Sequence, residues 1–250
     1  MKNCKVIVIT GTSRGIGLGM VKYFLSQGHI VVGCGRSKIK NNLENYFYSE
    51  IDITDEKQVC KWIKKIQRTH NRIDVLVSNA GLVKSSLLMT VTPTSILSSF
   101  IETHILGTYI VCREVSKVMI RQKYGRIITI SSLSVPLLLR GTSAYTATKS
   151  AIVDMTKVLA KELAPTGVTC NVINPGLIET GVTKNFSNAW KEMLLNKQTI
   201  KSTHSIEELC NIIDFFIGGD KIDVLSTTIN DNTVLNDDHV TISLDFPSTV

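Results

Sequence analysis

Close cysteine pairs, runs of basic residues and long apolar stretches are all missing from this sequence. Its six cysteines show none of the close spacings of metal-binding motifs, and several lie within apolar runs, which favours buried, reduced thiols. The net charge is +7, but the basic residues are scattered and aromatic residues make up only 6% of the chain, so we expect no nucleic-acid partner. No apolar stretch approaches a membrane span, and the first one is too short for a signal peptide. These absences predict a cytoplasmic protein that binds neither metal nor membrane.

Strand-like apolar runs alternate with helix-like segments, and the 250 residues suffice for one sizeable core. The predicted strands are Lys5–Thr10, Ile30–Cys34, Tyr46–Ile51, Val75–Ser78, Arg126–Ser131 and Val168–Ile173. The predicted helices are Ile16–Ser26, Asp55–Thr69 with Thr54 as its cap, Ser95–Ile120, Tyr145–Ala164, and a last one that opens at Ser205 and runs to about Ile217. This alternation predicts an α/β fold: a single domain over residues 1–250, built as a doubly wound parallel sheet with helices on both faces.

The first chemical motif is a glycine-rich turn. Gly11, Gly15 and Gly17 follow the apolar run Val6–Ile9 and open the first predicted helix. A strand, a tight turn and a helix start in this order place backbone N–H groups where they can bind a pyrophosphate. The spacing G-x-x-x-G-x-G differs from the G-x-G-x-x-G of many dinucleotide-binding folds, but the physical role of the glycines is the same.

The second motif places a phenol and an ammonium group on one helix face. Tyr145 and Lys149 are four residues apart, and Ser132 precedes them at the end of a predicted strand. A free phenol with a pKa of about 10 is a poor proton donor at neutral pH unless a positive charge lies nearby. Lys149 would supply such a charge beside Tyr145.

Together, and in this order, the two motifs resemble the short-chain dehydrogenase/reductase family, from about Lys5 to Thr180. They are most similar to the motifs of 3-oxoacyl-(acyl-carrier-protein) reductases, through Gly125–Ser132 and Pro175–Thr180. The resemblance implies a Rossmann-like fold and an oxidoreductase that transfers a hydride between a nicotinamide cofactor and a small carbonyl or alcohol substrate. It also implies that Ser132, Tyr145 and Lys149 are catalytic. In carbonyl reduction Tyr145 would supply the proton for the oxygen, Lys149 the positive charge, and Ser132 a hydrogen bond to the substrate oxygen.

The choice of cofactor can be predicted from the end of the second strand. Gly35 stands where NAD-dependent relatives have an Asp for the ribose 2′-hydroxyl, and Arg36 follows it. Arg14 supplies a second guanidinium from the glycine turn. Because two guanidinium groups suit the extra 2′-phosphate, we expect NADP(H) as the cofactor.

The resemblance assigns residues to each part of the cofactor. It places Asp52 at the adenine amino group, Asn79-Ala80-Gly81 at the ribose, and Ile178 and Thr180 at the carboxamide. Ser78 stands where the family has the first Asn of N-N-A-G. The full predicted binding set is Gly11, Ser13, Arg14, Gly15, Ile16, Gly17, Arg36, Ser37, Asp52, Ile53, Asn79, Ala80, Gly81, Tyr145, Lys149, Pro175, Gly176, Ile178 and Thr180.

His104 departs from the family pattern. It stands where the family usually has an Asn that completes a catalytic tetrad by holding a water molecule against the active-site lysine. A neutral imidazole also donates and accepts hydrogen bonds, so His104 is a candidate fourth catalytic residue. The alternative is that it only fills space.

The substrate is the least constrained part of the prediction. The segment Leu133–Gly141 should line the substrate pocket, and its aliphatic side chains beside Arg140 fit an apolar substrate with a polar or anionic end. Packing in the core explains those leucines equally well. Lys123 matches one of the two basic positions with which the acyl-carrier reductases dock their carrier, and Thr166 occupies the other. The substrate is therefore either free or carrier-bound.

Three functions remain open at this point. The first is an NADPH-dependent ketoreductase acting on a small carbonyl compound such as a 3-oxoacyl group. The second is a sugar or polyol oxidoreductase of surface-polysaccharide biosynthesis, and the third is an NADP-binding regulatory or scaffold protein with little turnover. The tail from about residue 231 diverges from the family's usual ending. We expect a homodimer or homotetramer, with dimer contacts through Ser95–Ile120 and Tyr145–Ala164.

Overall fold

The strands form one parallel sheet. The computed structural model describes residues 4–40, 42–83, 87–179, 181, 187–197, 202–218 and 242–243. The strands within these ranges are β1 Val6–Thr10, β2 Ile30–Gly35, β3 Tyr46–Glu50, β4 Val75–Ser78, β5 Gly125–Ile130, β6 Val168–Asn174 and β7 Ile242–Ser243. They lie in the order β3-β2-β1-β4-β5-β6-β7, and every neighbouring pair is parallel. The predicted doubly wound parallel sheet is confirmed.

Helices cover both faces of this sheet. They are α1 Gly15–Ser26, α2 Glu56–His70, α3 Thr94–Phe100, α4 Thr108–Gln122, α5 Ser134–Leu137, α6 Ser143–Leu163, α7 Asn188–Lys197 and α8 Ile206–Gly218. One core cluster joins the sheet to α2, α4 and α6, and a second joins its other face to α1 and α8. The central strands are buried along their whole length, as expected of strands covered on both sides.

Some helix boundaries differ from the predictions. Asp55, not Thr54, caps α2, and its side chain accepts the Gln58 N–H at 3.0 Å. The reason is that the Thr54 hydroxyl already donates to Asp52 Oδ1 at 2.8 Å. The helices α5 and α7 were not predicted. Apart from Ile242–Ser243, the tail from residue 231 lies outside the described residues.

The predicted helix Ser95–Ile120 is a continuous helical run from Thr94 to Gln122 that contains a π-helical turn at Ile101–Gly107. Contrary to our expectation, this run is long and apolar enough to cross a membrane by length and composition alone, with a mean hydropathy of 1.3. Core helices pass the same test, and the inner face of α4 packs against the sheet through Val111, Val115 and Met119. The run is therefore weak evidence for a membrane.

Candidate active site

One pocket lies at the carboxyl edge of the sheet, where the loops after β1, β2, β4, β5 and β6 converge. Its volume is about 420 Å³, and this edge is where open parallel sheets bind their ligands. The predicted site residues that line it are Gly11, Ser13, Arg14, Gly15, Ile16, Gly17, Arg36, Asp52, Ile53, Asn79, Ala80, Gly81, Ser132, Tyr145, Lys149, Pro175, Gly176 and Ile178. Ser37 and His104 are not among the lining residues, and Thr180 lies outside the described residues.

The glycine turn is shaped for a ligand that approaches the backbone. Gly15 has a φ of +58°, and nothing lies within 4 Å of the position a Cβ would take there. At Gly17 a Cβ would overlap the carbonyl of Gly11, so this residue allows α1 to pack against the turn. The turn therefore combines an open face with a close internal packing contact.

The pocket is positively charged beside this turn. Arg14 is the N-cap residue of α1, and the first turn of that helix carries no acidic residue. Arg36 lines the same end of the pocket from the end of β2. Neither guanidinium has an ion-pair partner in the part of the chain that the structure describes. A helix N-terminus and two unpaired cations together favour a bound anion.

A hydrogen-bond network fixes the turn to the next loop. The Asn79 side chain donates to the carbonyl oxygens of Thr10 and Gly11, at 2.9 and 3.3 Å. The N–H groups of Asn79 and Ala80 both donate to the Thr10 hydroxyl, at 3.0 and 2.9 Å. Thr10 was not predicted as a site residue because it lies inside the strand pattern. Asn79 therefore connects the loop after β4 to the glycine turn and also lines the pocket.

At the end of the pocket where we expect the cofactor, Asp52 and Ser37 differ in their surroundings. Asp52 lines the pocket, and its Oδ1 accepts from the N–H and the hydroxyl of Thr54 at 3.0 and 2.8 Å. Ser37 lies outside the lining and its carbonyl accepts the Tyr48 hydroxyl. The contact of Ser37 with the cofactor therefore stays a prediction.

Ser132 and Tyr145 form the reactive corner of the pocket. Hydrogen bonding by Ser132 acts to lower the pKa of Tyr145, which places the two side chains beside each other. The N–H of Ser134, in the short helix α5, donates to Ser132 Oγ at 3.2 Å. This bond occupies a lone pair of Ser132 and leaves its proton free for an acceptor. The geometry suits a hydroxyl that donates to Tyr145 or to a substrate oxygen.

Burial shifts the pKa values of both titratable groups in this corner. It raises the pKa of Tyr145, and the hydrogen bond with Ser132 opposes the rise in part. It lowers the pKa of Lys149 to about 8. The Lys149 ammonium donates to the Ile130 carbonyl at 2.9 Å and lies 5.9 Å from the centre of the Tyr145 ring. Burial and the hydrogen bond with Ser132 are the causes of the Tyr145 shift, and the lowering that we expected from Lys149 is not among them.

His104 lies behind this corner, fully buried in the π-helical turn. Its ring stacks on Phe100 with 5.1 Å between centroids and meets the Tyr145 ring edge-on at 5.5 Å. Its two nitrogens contact Leu82 and Thr148. Burial, and to a lesser extent the charge on Lys149, lower its pKa to about 3. The ring is therefore neutral throughout the range in which an ordinary histidine titrates.

The substrate end of the pocket is apolar. The large apolar side chains that line it are Val83, Leu87, Ile96, Phe100, Leu133, Leu139, Leu177, Trp190 and Leu194. The prediction for the segment Leu133–Gly141 was wrong in part, because the side chains of Leu137, Leu138 and Arg140 do not line the pocket. Leu133 and Leu139 do line it, and they also pack in a core cluster with Leu194. These two leucines therefore both line the pocket and pack in the core.

Sequence reasoning missed the residues that close this end. Trp190 and Leu194 come from α7, and Ile96 and Phe100 come from α3. They are far from the motifs in sequence, and α7 has no apolar face strong enough to single it out. Only the packing of α7 against Leu133, Leu139 and Leu177 identifies it as a wall of the pocket.

Comparison with known proteins agrees with this architecture. The family described as short chain dehydrogenase matches residues 5–191. A 3-oxoacyl-(acyl-carrier-protein) reductase, FabG, of Buchnera aphidicola subsp. Baizongia pistaciae is 32% identical over 223 residues, which cover 86% of this chain and 91% of the relative. FabG of Escherichia coli K12 is 27% identical and covers 91% of this chain and 96% of its own.

Solved structures include a protein named ElxO with NADP bound. Its chain superimposes with a TM-score of 0.81 at 28% identity, and the match covers 97% of this chain and 98% of that one. The similarity therefore extends over the whole sheet and the helices around the pocket.

Proposed function

Because the chain belongs to the short-chain dehydrogenase family, we propose that it is an NADPH-dependent ketoreductase for a small, neutral, apolar carbonyl compound. One observation carries the proposal: a continuous pocket joins the Ser132–Tyr145 corner and Lys149 to the positively charged glycine turn. An anion-binding end and a proton-donating end in one cavity suit a reductase whose cofactor carries phosphate groups.

The residues at the charged end fit NADPH. The open face at Gly15 admits a pyrophosphate, and Arg14 and Arg36 supply cations for a 2′-phosphate that have no ion-pair partner among the described residues. A carboxylate is not favoured at position 35, because a Cβ on Gly35 would lie 2.8 Å from the Tyr48 hydroxyl. NADP is bound in the ElxO structure, which supports the same assignment here. When bound, NADPH supplies the hydride.

The chain's own residues handle the proton. Tyr145, whose pKa is raised by burial, stays protonated at neutral pH and donates its proton to the carbonyl oxygen. Ser132 donates a hydrogen bond to the same oxygen as negative charge develops on it. Lys149, charged below a pKa of about 8, stabilises the phenolate that Tyr145 leaves behind.

The substrate end favours a neutral apolar molecule over a sugar. Apart from Lys149, the charged residues that line the described pocket are Arg14, Arg36 and Asp52, all at the cofactor end. A sugar or polyol needs several hydrogen-bond partners, whereas most of the side chains here are aliphatic or aromatic. Two of the hydroxyl groups in the lining, those of Thr92 and Thr142, already donate to backbone carbonyl oxygens. We therefore propose a ketone with an aliphatic or aromatic group.

The position of Lys123 and Thr166 favours a free substrate over a carrier-bound one. Lys123 precedes β5 and Thr166 precedes β6, so both lie at the amino edge of the sheet, opposite the pocket. Only one of the two is basic, and the Thr166 hydroxyl already donates to the Leu163 carbonyl at 2.6 Å. A carrier bound at this edge would not face the pocket of the same chain.

Steady-state kinetics tests the proposed function. NADPH oxidation is followed with a neutral aryl or alkyl ketone, a 3-oxoacyl thioester, the same acyl group on a carrier protein, and an oxidised sugar. We expect the ketone and the free thioester to give a larger kcat/KM than the carrier-bound form and the sugar. Turnover of the sugar alone would contradict the proposed substrate class, and no turnover of any carbonyl would contradict the enzyme assignment.

A second copy of this chain is the partner that we propose for the exposed apolar face of the run Thr94–Gln122. Leu97, Ile101, Leu106 and Tyr109 are 36%, 43%, 45% and 52% exposed. Their spacings of four, five and three residues match one helix face when the wider π-helical turn is counted. Val158 on the adjacent α6 is 55% exposed. Two such faces would cover each other in a homodimer.

Light scattering tests this assembly. The parent protein should have twice the mass of one chain, and the pair of changes Leu106→Glu and Tyr109→Glu should halve it. Met89→Glu, at a residue that is 79% exposed but off this face, is the matched control and should leave the mass unchanged. A parent with the mass of one chain would contradict the proposal.

We propose the cytoplasm as the location because every cysteine is a free thiol. Burial raises the pKa of both Cys34 and Cys112 to about 12, which makes them unreactive. A chain with six free thiols suits a reducing compartment.

A further inference from the structure

The ring of His104 connects two parts of the proposed active site that are far apart in sequence. On one side, the Leu82 N–H, in the loop after β4, donates to Nε2 at 2.9 Å. On the other side, Nδ1 lies 2.9 Å from the hydroxyl of Thr148 on α6. The Thr148 hydroxyl in turn lies 2.9 Å from the backbone carbonyl of Tyr145 and donates to it. A chain of three hydrogen bonds thus runs from the β4 loop to the backbone of Tyr145.

Nε2 lies 2.9 Å from the Leu82 N–H and 3.1 Å from the Leu82 carbonyl oxygen, so the distances alone fit a ring protonated on either nitrogen. The assignment that leaves the Thr148 proton for the Tyr145 carbonyl has Nε2 as an acceptor, and this is the one that we adopt. The single proton of the neutral ring is then on Nδ1. Nδ1 then donates to the Thr148 oxygen, and the Thr148 proton goes to the Tyr145 carbonyl. Every donor in the chain has an acceptor, and neither ring nitrogen is left for another partner. The ring has no free nitrogen with which to hold a water molecule against Lys149.

The neighbourhood of His104 also requires an uncharged ring. A Cβ placed on Gly81 would lie 3.4 Å from Nε2 and 3.6 Å from the Lys149 ammonium, so the two nitrogens flank the same residue. The other ring neighbours, Phe100 and Tyr145, are uncharged at neutral pH, and a second cation beside Lys149 would be repelled. A neutral His104 is compatible with a charged Lys149, whereas an imidazolium is not.

We propose that His104 is a positioning residue that fixes Tyr145 through Thr148 and transfers no proton in the reaction. The expected effect on the reaction rate rests on the proposed function, whereas the hydrogen-bond chain rests on the geometry alone. An asparagine at position 104 would keep an amide for the Leu82 N–H, but its shorter side chain cannot also reach Thr148. The link to Tyr145 is therefore specific to the histidine and the threonine together.

A double-variant cycle tests the link. Thr148→Val keeps the shape of the side chain but removes its hydroxyl, and we expect kcat to fall about tenfold, the equivalent of one buried hydrogen bond. His104→Asn should cause a similar fall, and the double variant should be no slower than either single variant, because both changes break the same chain. KM should change little, and Thr148→Ser should recover most of the loss. Losses that multiply to about a hundredfold would overturn the proposal.

Thr156→Val is the matched control for a merely structural effect. Thr156 lies on the same helix, is fully buried, and shares a hydrogen bond of 2.8 Å with Thr129. Removing the Thr156 hydroxyl should lower the melting temperature much as Thr148→Val does, but it should leave kcat unchanged. An equal fall of kcat in both variants would show that Thr148 acts only through the stability of the helix.

The pH dependence distinguishes a positioning role from proton transfer. The pH–rate curves of the parent and of His104→Asn should have the same shape and differ only in height. A parent curve with an ionisation that His104→Asn removes would overturn the proposal and assign the ring to the proton path.

Nitrogen NMR of the histidine rings tests the geometry without turnover. The resonances that His104→Asn removes should report a proton on Nδ1 and none on Nε2, unchanged between about pH 5 and pH 8, where an ordinary histidine titrates. A proton on Nε2, or a titration in that range, would overturn the proposal. Since this measurement needs no substrate, its result stands even if the protein reduces no carbonyl compound.

Discussion

The two ends of the pocket are built in opposite ways. The cofactor end is made of backbone and charge: an open glycine turn, a helix N-terminus and the guanidinium groups of Arg14 and Arg36. The substrate end is made of side chains from α3, α7 and the segments that follow β4, β5 and β6, with mainly aliphatic and aromatic walls. Backbone N–H groups can hold a phosphate whatever side chains surround them, whereas an apolar wall depends on each side chain. Substrate choice can therefore change at one end without disturbing the cofactor at the other.

The largest expected effect is at the junction of the two ends. Tyr145→Phe removes the proposed proton donor, and turnover should fall by about a hundredfold to ten-thousandfold, the range of a general acid. The affinity for NADPH should stay nearly the same, because the phenyl ring remains. Tyr124→Phe is the control, since it removes a phenol that accepts from Lys5 at 3.0 Å, remote from the pocket lining. Full activity of Tyr145→Phe would break the proposed mechanism.

The second prediction tests the charge at the cofactor end. Arg36→Asp removes a cation and adds a repulsive carboxylate beside the expected 2′-phosphate. We expect NADPH to bind about 2–4 kcal/mol less tightly, or roughly 30- to 1000-fold, with NADH affected much less. Arg121→Asp makes the same change of charge on the outer surface of α4, where its guanidinium contacts Gln67. Fluorescence titration measures both cofactors, and equal affinities in the parent would contradict the NADPH preference.

The third prediction follows from the buried lysine between the two ends. Burial lowers the pKa of Lys149 to about 8, so its ammonium is present below that pH and is lost above it. The kcat/KM for reduction should be level at neutral pH and fall up to tenfold per unit above about pH 8. Any residual rate of Lys149→Arg should lack this fall, because a guanidinium stays charged. A parent rate that holds level well above pH 8 would show that Lys149 keeps an ordinary pKa.

The smallest expected effect is at the substrate end. Leu139 lines the pocket and is 6% exposed, whereas the adjacent Leu138 is 76% exposed and does not line it. Leu139→Ala should raise KM for an apolar ketone about fivefold, since roughly one methylene group of contact is lost. The affinity for NADPH should not change. Leu138→Ala should leave both quantities unchanged, and an equal effect of the two changes would contradict the proposed wall.

The fold and the cofactor end could be predicted because their determinants are local. An apolar run, a glycine turn and a helix start are adjacent in sequence, and the alternation of β1, α1 and β2 fixes a parallel sheet. The cap of α2 was assigned to Thr54 and not to Asp55 because both residue types cap helices. Only the bond from Thr54 to Asp52 shows which of the two is free to do so.

The substrate end could not be predicted to the same degree because its determinants are distant. Arg140 is next to Leu139 in sequence, yet only the leucine faces the pocket. The contacts of His104 were also out of reach, because they depend on where a π-helical turn places its ring. Resemblance to a family identified the position as unusual, but the hydrogen-bond partners come from tertiary packing.

The π-helical turn makes the length of this helical run as important as its composition. The wider turn at Ile101–Gly107 holds one residue more than the same stretch of ordinary α-helix, so straightening it without removing a residue would rotate everything after it by about 100°. Leu97 lies before the turn, Ile101 is its first residue, and Tyr109 lies after it. The rotation would move Tyr109 off the face that it shares with Leu97 and Ile101, or turn His104 away from Thr148. An added residue here, or a change that straightens the turn, should therefore be far less tolerated than substitutions of the same exposed residues.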